Sequence, residues 1–173
     1  MPIPEFITEI RRHIGTAPLW LPAVSAVVLK TDPARPEGPP LVLLVRRTDN
    51  GEYTPITGIV DPLEMPDLCA MRETEEEASV RIEVERLVAI RVVGPVTYDN
   101  GDVSSYLDHA FRCRWVEGEP AVGDEENTEA GWWPVDALPP MSPHHIETVK
   151  LALADEPQTQ LVHTQQPLLV ANR

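Results

Sequence analysis

The chain is short of positive charge. Lysine occurs only at Lys30 and Lys150, and 14 Lys and Arg stand against 28 Asp and Glu, for a formal net charge of -14. A surface of that sign lacks the basic patches that displace counterions from a nucleic-acid backbone, so an extended nucleic-acid partner is not expected. A small nucleotide held through a cation is compatible with it. Cysteine is also scarce. Cys69 and Cys113 lie far apart, form no CxxC pair and sit in apolar patterns, which predicts buried free thiols and no disulfide scaffold. Long hydrophobic runs are missing too, so no membrane-spanning helix and no membrane partner is expected. The start, MPIPEFITEIRRHIG, has charges inside its apolar pattern and no signal-peptide core. These absences together suggest a cytoplasmic protein.

What is present suits one folded domain over residues 1–173. The length favours a single domain able to bury a substantial core, and 42% apolar residues is ordinary for one. Phe6, Ile7, Ile10 and Ile14 recur at helical spacing in residues 5–14 and predict an amphipathic helix, a candidate surface for a homodimer. LWLPAVSAVVLK (19–30) reads as a strand, TDPARPEGPP (31–40) as a Pro-rich loop, and LVLLVRR (41–47) as a central strand. Residues 67–78 carry a helix pattern with Leu68, Met71, Thr74 and Ala78 as its inward stripe. Residues 81–96 and 102–116 read as strands joined at Asn100-Gly101. SPHHIETVKLALA (142–154) reads as a closing helix with Ser142 as N-cap and Pro143 behind it. In the tail from 155 to 173, the LVH and LLV pieces are candidate docked strands. Strands, a helix, more strands and a helix point to an α/β fold with a mixed sheet.

The chemistry concentrates in the second predicted helix. Glu73, Glu75, Glu76 and Glu77 fall within five positions. At about 100° per residue, Glu73, Glu76 and Glu77 share one face and Glu75 points away. Three converging carboxylates either take up protons or gather a cation. An all-oxygen cluster suits Mg²⁺, Mn²⁺ or Ca²⁺ and not zinc. The alternative is a solvated acidic face, although such faces normally interleave Lys or Arg and this one has only Arg72.

The spacing of the longer segment from Gly58 to Val80 resembles the Nudix box. Gly58, Glu64, Arg72, Glu73, Glu76, Glu77 and Val80 stand where that motif has its fixed residues. Thr74 replaces the usual aliphatic residue. Ser79 replaces the glycine that ends the helix in a left-handed turn. The resemblance extends over about residues 20–153. It implies an α/β/α sandwich with a mixed β-sheet, and Mg²⁺ or Mn²⁺ as cofactor. It also implies cleavage of the pyrophosphate in a nucleoside diphosphate linked to another moiety: an ADP-ribose-like compound, a nucleotide sugar or a nucleoside triphosphate. By position it makes Glu73, Glu76 and Glu77 metal ligands, with the Gly58 carbonyl as one more. Arg72 orients Glu73, and Glu64 supports that network. A further glutamate from the loop GDEENTEAGWW is expected as ligand or base, with Glu126 preferred over Glu125 and Glu129. The other reading open to this family is a nucleotide-binding regulatory module with weak or no turnover, to which Ser79 alone points.

Beyond the box, Arg46 and Arg47 are candidates for holding a phosphate, against surface ion pairing. Tyr53, Trp132 and Trp133 are candidates for stacking on a base, against core packing. His109 reads as a satisfied core histidine, and His144 and His145 as exposed. Pro95 and Tyr98 each hint at a different substrate class within the family, and a turn explains both.

Overall fold

The structure, a computed structural model, describes residues 4–123 and 125–163. Its elements run α1 (Glu5–Ile14), β1 (Leu19–Lys30), β2 (Leu41–Arg47), β3 (Tyr53–Thr54), β4 (Ile56–Ile59), α2 (Pro66–Ala78), β5 (Arg81–Thr97), β6 (Val103–Glu117), β7 (Asn127–Pro134), α3 (Pro143–Leu153) and β8 (Gln160–Val162). The sheet is mixed, with β1 as its axis. The middle of β1 pairs antiparallel with β4, from Ala23↔Ile59 to Ala26↔Ile56, and its end pairs with β2 at Leu29↔Val42. On its other side β1 runs parallel to β6, from Leu19↔Ser104 to Leu29↔Arg114. β5 adds antiparallel to β6, and β7 and β3 join β2. The LVH piece of the tail supplies β8, parallel to β5. The LLV piece lies outside the described residues.

Strand alternation explains the layers. Val24, Ala26 and Val28 of β1, with Leu43 and Val45 of β2, face one apolar cluster together with α2. Val27 and Leu29, with Val42 and Leu44, face a second cluster against α3. Strands buried on both faces need near-continuous apolar runs, which is what β1 and β2 have. The result is the expected α/β/α sandwich. Cys69 and Cys113 are both buried free thiols in the first cluster. α1 packs on its own chain through buried Ile7, and Arg11 reaches across to β6, donating to the Val103 carbonyl and to Ser104 Oγ.

α2 differs from its expected orientation. Leu68 and Met71 are 54% and 40% exposed, while Cys69, Ala70, Thr74 and Ala78 are buried together with Glu73 and Glu77. The helix is therefore rotated so that small residues meet the sheet and two carboxylates go inward. Thr74 Oγ1 loses no hydrogen bond by this, since it donates to the Ala70 carbonyl at 2.6 Å. Pro66 stands in the first turn, where no amide N–H is missed. Ser79 ends the helix at φ 56°, ψ 30°, and its N–H caps the Glu75 carbonyl. It thus adopts the left-handed geometry that glycine reaches without a Cβ penalty.

Ser79→Gly is expected to raise stability by about 0.5–1 kcal/mol, read from denaturant unfolding. An unchanged or lowered midpoint would show that Ser79 is unstrained there.

Candidate active site

Glu73 is 1% exposed, on the inward face of α2. It lies against Gly58 of β4, and a Cβ at residue 58 would fall 2.3 Å from the Glu73 side chain. Only a glycine leaves room for the carboxylate. β4 is fixed there by its ladder to β1, in which Gly58 stands opposite Val24. From the solvent side, Arg72 Nη1 donates to Glu73 Oε1 at 2.9 Å and to Glu76 Oε2 at 3.1 Å. The other edge of the same guanidinium grips Glu64 with two bonds of 2.8 Å. Glu64 Oε2 also accepts from the Asp61 N–H at 3.0 Å, which fastens the network to the backbone of the β4–α2 loop.

Electrostatics here are dominated by burial. Removal from water pushes the Glu73 carboxyl up to about 7, against the pull of Arg72, and the charges of Glu76 and Glu126 push it the same way. Like-charge repulsion along a helix costs only tenths of a kcal/mol. Dehydrating an ion costs several. The crowding visible in the sequence is therefore the smaller effect, and the inward turn of α2 the larger one. Arg72 holds the Glu64 carboxyl below its usual range.

Glu73 opens on a cavity of about 550 Å³ that Gly58, Glu77 and Glu126 also line. Glu77 is buried and accepts from Asn127 Nδ2 at 3.0 Å, a contact that sequence pattern gave no reason to expect. Glu126 arrives because the loop after β6 docks on the end of α2. Ala121 N–H and Gly123 N–H donate to the Ala78 and Glu77 carbonyls, both at 3.0 Å. A Cβ at Gly123 would overlap the Glu76 carbonyl at 1.8 Å, so the close approach requires glycine. Of the three loop glutamates, only Glu126 lines the cavity. Glu125 is exposed, and Glu129 accepts from Tyr53 Oη at 2.6 Å and Arg46 Nη1 at 2.9 Å. Glu76 is exposed beside Arg72 and does not line the cavity.

The outlying candidates divide in the same way. Arg47 lines the cavity with its guanidinium on Asp49, and Tyr98 lines it with its hydroxyl 2.5 Å from that of Tyr106. Arg46, Tyr53 and Trp133 are not brought to it. Tyr53 packs edge-on to Trp133 at 5.2 Å with Arg46 over its ring, and Trp133 joins the second apolar cluster. Trp132 packs on the first cluster under the Lys30 ammonium. His109 places Nδ1 3.1 Å from the Ala23 carbonyl and stays out of the cavity. His144 is exposed as expected and His145 is half-buried, and both line the cavity. Ser142 is the N-cap of α3, as expected, but its Oγ makes no cap bond and lies 3.0 Å from Nδ1 of each histidine.

Oxygen donors are the only ligands these carboxylates offer, and buried or mutually repelling carboxylates fit a hard divalent cation such as Mg²⁺ or Mn²⁺. Among the described residues no three of these side chains already converge on one point, since Arg72 holds Glu76.

The family model described as NUDIX domain matches residues 20–152. The chain belongs to the Nudix family. Among curated relatives, this Nudix chain is 27% identical over 114 residues to the NAD-capped RNA hydrolase NudC of Pseudomonas aeruginosa, covering 60% of this chain and 38% of that protein. The chain thus spans well under half the length of that relative. An ADP-ribose pyrophosphatase from Streptococcus suis superposes with a TM-score of 0.59 at 22% identity, covering 82% of this chain and 98% of that one. The NUDIX domain of Shewanella oneidensis NrtR, complexed with ADP ribose, superposes with a TM-score of 0.56 at 19% identity, covering 88% and 97%. At these identities the superpositions establish the fold of the Nudix chain.

In the metal-free protein, a Glu73 value raised from 4.5 to about 7 makes its contribution to stability full below about pH 4.5 and lost as the pH rises through about 7. Unfolding of wild type and Glu73→Gln across that window should show the wild type losing ground as pH rises. A difference independent of pH would contradict the burial.

Proposed function

We propose that this Nudix protein is a divalent-metal-dependent pyrophosphohydrolase. Its substrate is a nucleoside diphosphate linked to another moiety, with ADP-ribose-like compounds and nucleotide sugars preferred over nucleoside triphosphates. The observation that carries the reading is Glu73, buried against Gly58 and tied to Arg72–Glu64 while facing one cavity with Glu77 and Glu126. A carboxylate kept from water and backed by a cation on one side only is poised to share a second cation.

Glu73, Glu76, Glu77 and the Gly58 carbonyl are the proposed holders of Mg²⁺ or Mn²⁺. Bound there, the ion supplies charge neutralisation for the diphosphate and lowers the pKa of water. Arg72 keeps Glu73 aimed at the cavity, and Glu64 keeps Arg72 in place. Asn127 fixes Glu77 from the far side. Glu126, at the cavity wall on a docked loop, is placed to accept the proton of the attacking water. Arg47 is placed to steady a phosphate oxygen as negative charge builds on the group being displaced. In-line attack at phosphorus breaks the P–O–P link and leaves two phosphate-bearing products.

The feature that favoured a binding-only role, Ser79, keeps the glycine geometry at the helix exit and so gives that alternative no support. The apolar residues of α1 left outside, Ile10 and Ile14, form the face proposed for a homodimer.

Glu76→Gln should lower kcat/KM by about 100-fold or more, because lost ligands typically cost at least that in metal affinity or rate. The assay is product identification with Mg²⁺ or Mn²⁺ on a panel including ADP-ribose, a nucleotide sugar and nucleoside triphosphates. Normal rates in the variant would remove the acidic helix from the mechanism.

A further inference from the structure

The wall of the cavity opposite Glu73 contains a second buried carboxylate that the proposed chemistry does not use. Asp108 of β6 is 6% exposed and lines the cavity. Ser25 of β1 donates to its Oδ1 at 2.9 Å. Among the described residues no hydrogen bond reaches Oδ2. Polar neighbours on the same wall already have partners. Tyr98 and Tyr106 bond to each other, Ser104 accepts from Arg11, and Asp102 pairs with Arg11 at 3.4 Å. Oδ2 keeps access to the cavity, so a donor there can reach it.

Position says which part of a substrate that partner belongs to. Gly58 stands opposite Val24, and Asp108 stands opposite Ala23 on the other side of the same strand. Their strands are therefore two apart, about 10 Å between backbones, and alternation puts Gly58 on the α2 face of the sheet and Asp108 on the α3 face. All three line one cavity, so a ligand whose diphosphate lies at Gly58 and Glu73 can extend its attached group to Asp108. Burial pushes the Asp108 carboxyl up to about 6, with Ser25 and Arg91 opposing the rise. As a carboxylate it can only accept.

We infer that Asp108, steadied by Ser25, is a specificity-determining residue that accepts a hydrogen bond from a hydroxyl or N–H of the nucleoside carried by the diphosphate. This rests on the pyrophosphohydrolase reading for the placement of the diphosphate, but binding tests it without turnover. Two sources offer that donor, the ribose hydroxyls and the amine of the base. Asp108→Asn keeps the shape and the acceptor facing Ser25 while turning an N–H toward the cavity. A site built around one polar contact rejects ligands that lack it.

The experiment is calorimetric binding of AMP, 2′,3′-dideoxy-AMP and IMP to the full chain, as wild type, Asp108→Asn and Ser25→Ala. Wild type should bind AMP at least about 10-fold tighter than one of the two analogues. Loss against dideoxy-AMP assigns the ribose, and loss against IMP assigns the amine. Asp108→Asn should erase that preference, and Ser25→Ala should reduce it several-fold. Should Asp108→Asn fail to fold, Ser25→Ala decides, and an unchanged preference in it overturns the inference. Affinities in wild type within about 3-fold for all three, no binding at millimolar AMP, or an equal loss for all three in Asp108→Asn would also overturn it. The last result would make Asp108 a structural neighbour of buried Arg91, its cross-strand partner. Hydrolysis that fails in wild type while the binding preference stands would count against the pyrophosphohydrolase reading alone.

Discussion

One buried carboxylate organises this molecule. Glu73 is held buried, at the edge of the cavity, by a strand residue without a side chain and an arginine that is itself held by a second carboxylate. Each part of that chain needs the next. With a Cβ at residue 58 the Glu73 side chain has no place to lie. Without Glu64, Arg72 loses two bonds of 2.8 Å and with them its fixed direction. Removing one member of a buried charged set typically costs 3–5 kcal/mol, far more than any surface ion pair of this acidic protein contributes.

The fold serves that arrangement through ordinary backbone accounting. β4 stays in place because β1 pairs with it along its middle and reaches β2 only at its end. The carbonyls at the end of α2 find donors in the loop after β6, and that docking delivers Glu126 and, one residue later, Asn127 against Glu77. Satisfying a helix terminus and completing the cavity are thus the same set of contacts.

Much of this was legible from residues alone because spacing carries it. The box from Gly58 to Val80, the turn at Asn100-Gly101 and the two-sided apolar strands all depend on short-range periodicity, and the structure has the fold they imply. The rotation of α2 was not legible. Hydrophobicity alone favours Leu68 and Met71 inside, yet a tight approach to the sheet selects Cys69, Ala70 and Ala78 and carries Glu73 inward with them. Tyr53 and Trp133 read as stacking residues, but their strands put them in each other's company. His144, His145, Asp108 and Asn127 carried no signal at all. Their place at the cavity comes from strand register and from the way α3 lies on the sheet, both set by contacts distant in sequence.

The account stands on the claim that the buried acidic group is tolerated because it shares a divalent cation. Melting of the metal-free protein with and without Mn²⁺, for wild type and Glu73→Gln, tests that most directly. The account predicts a midpoint that climbs with Mn²⁺ in wild type, by the amount that ligation of the native state alone requires, and little change in the variant. A wild-type midpoint indifferent to Mn²⁺, or an equal rise in both proteins, would contradict it.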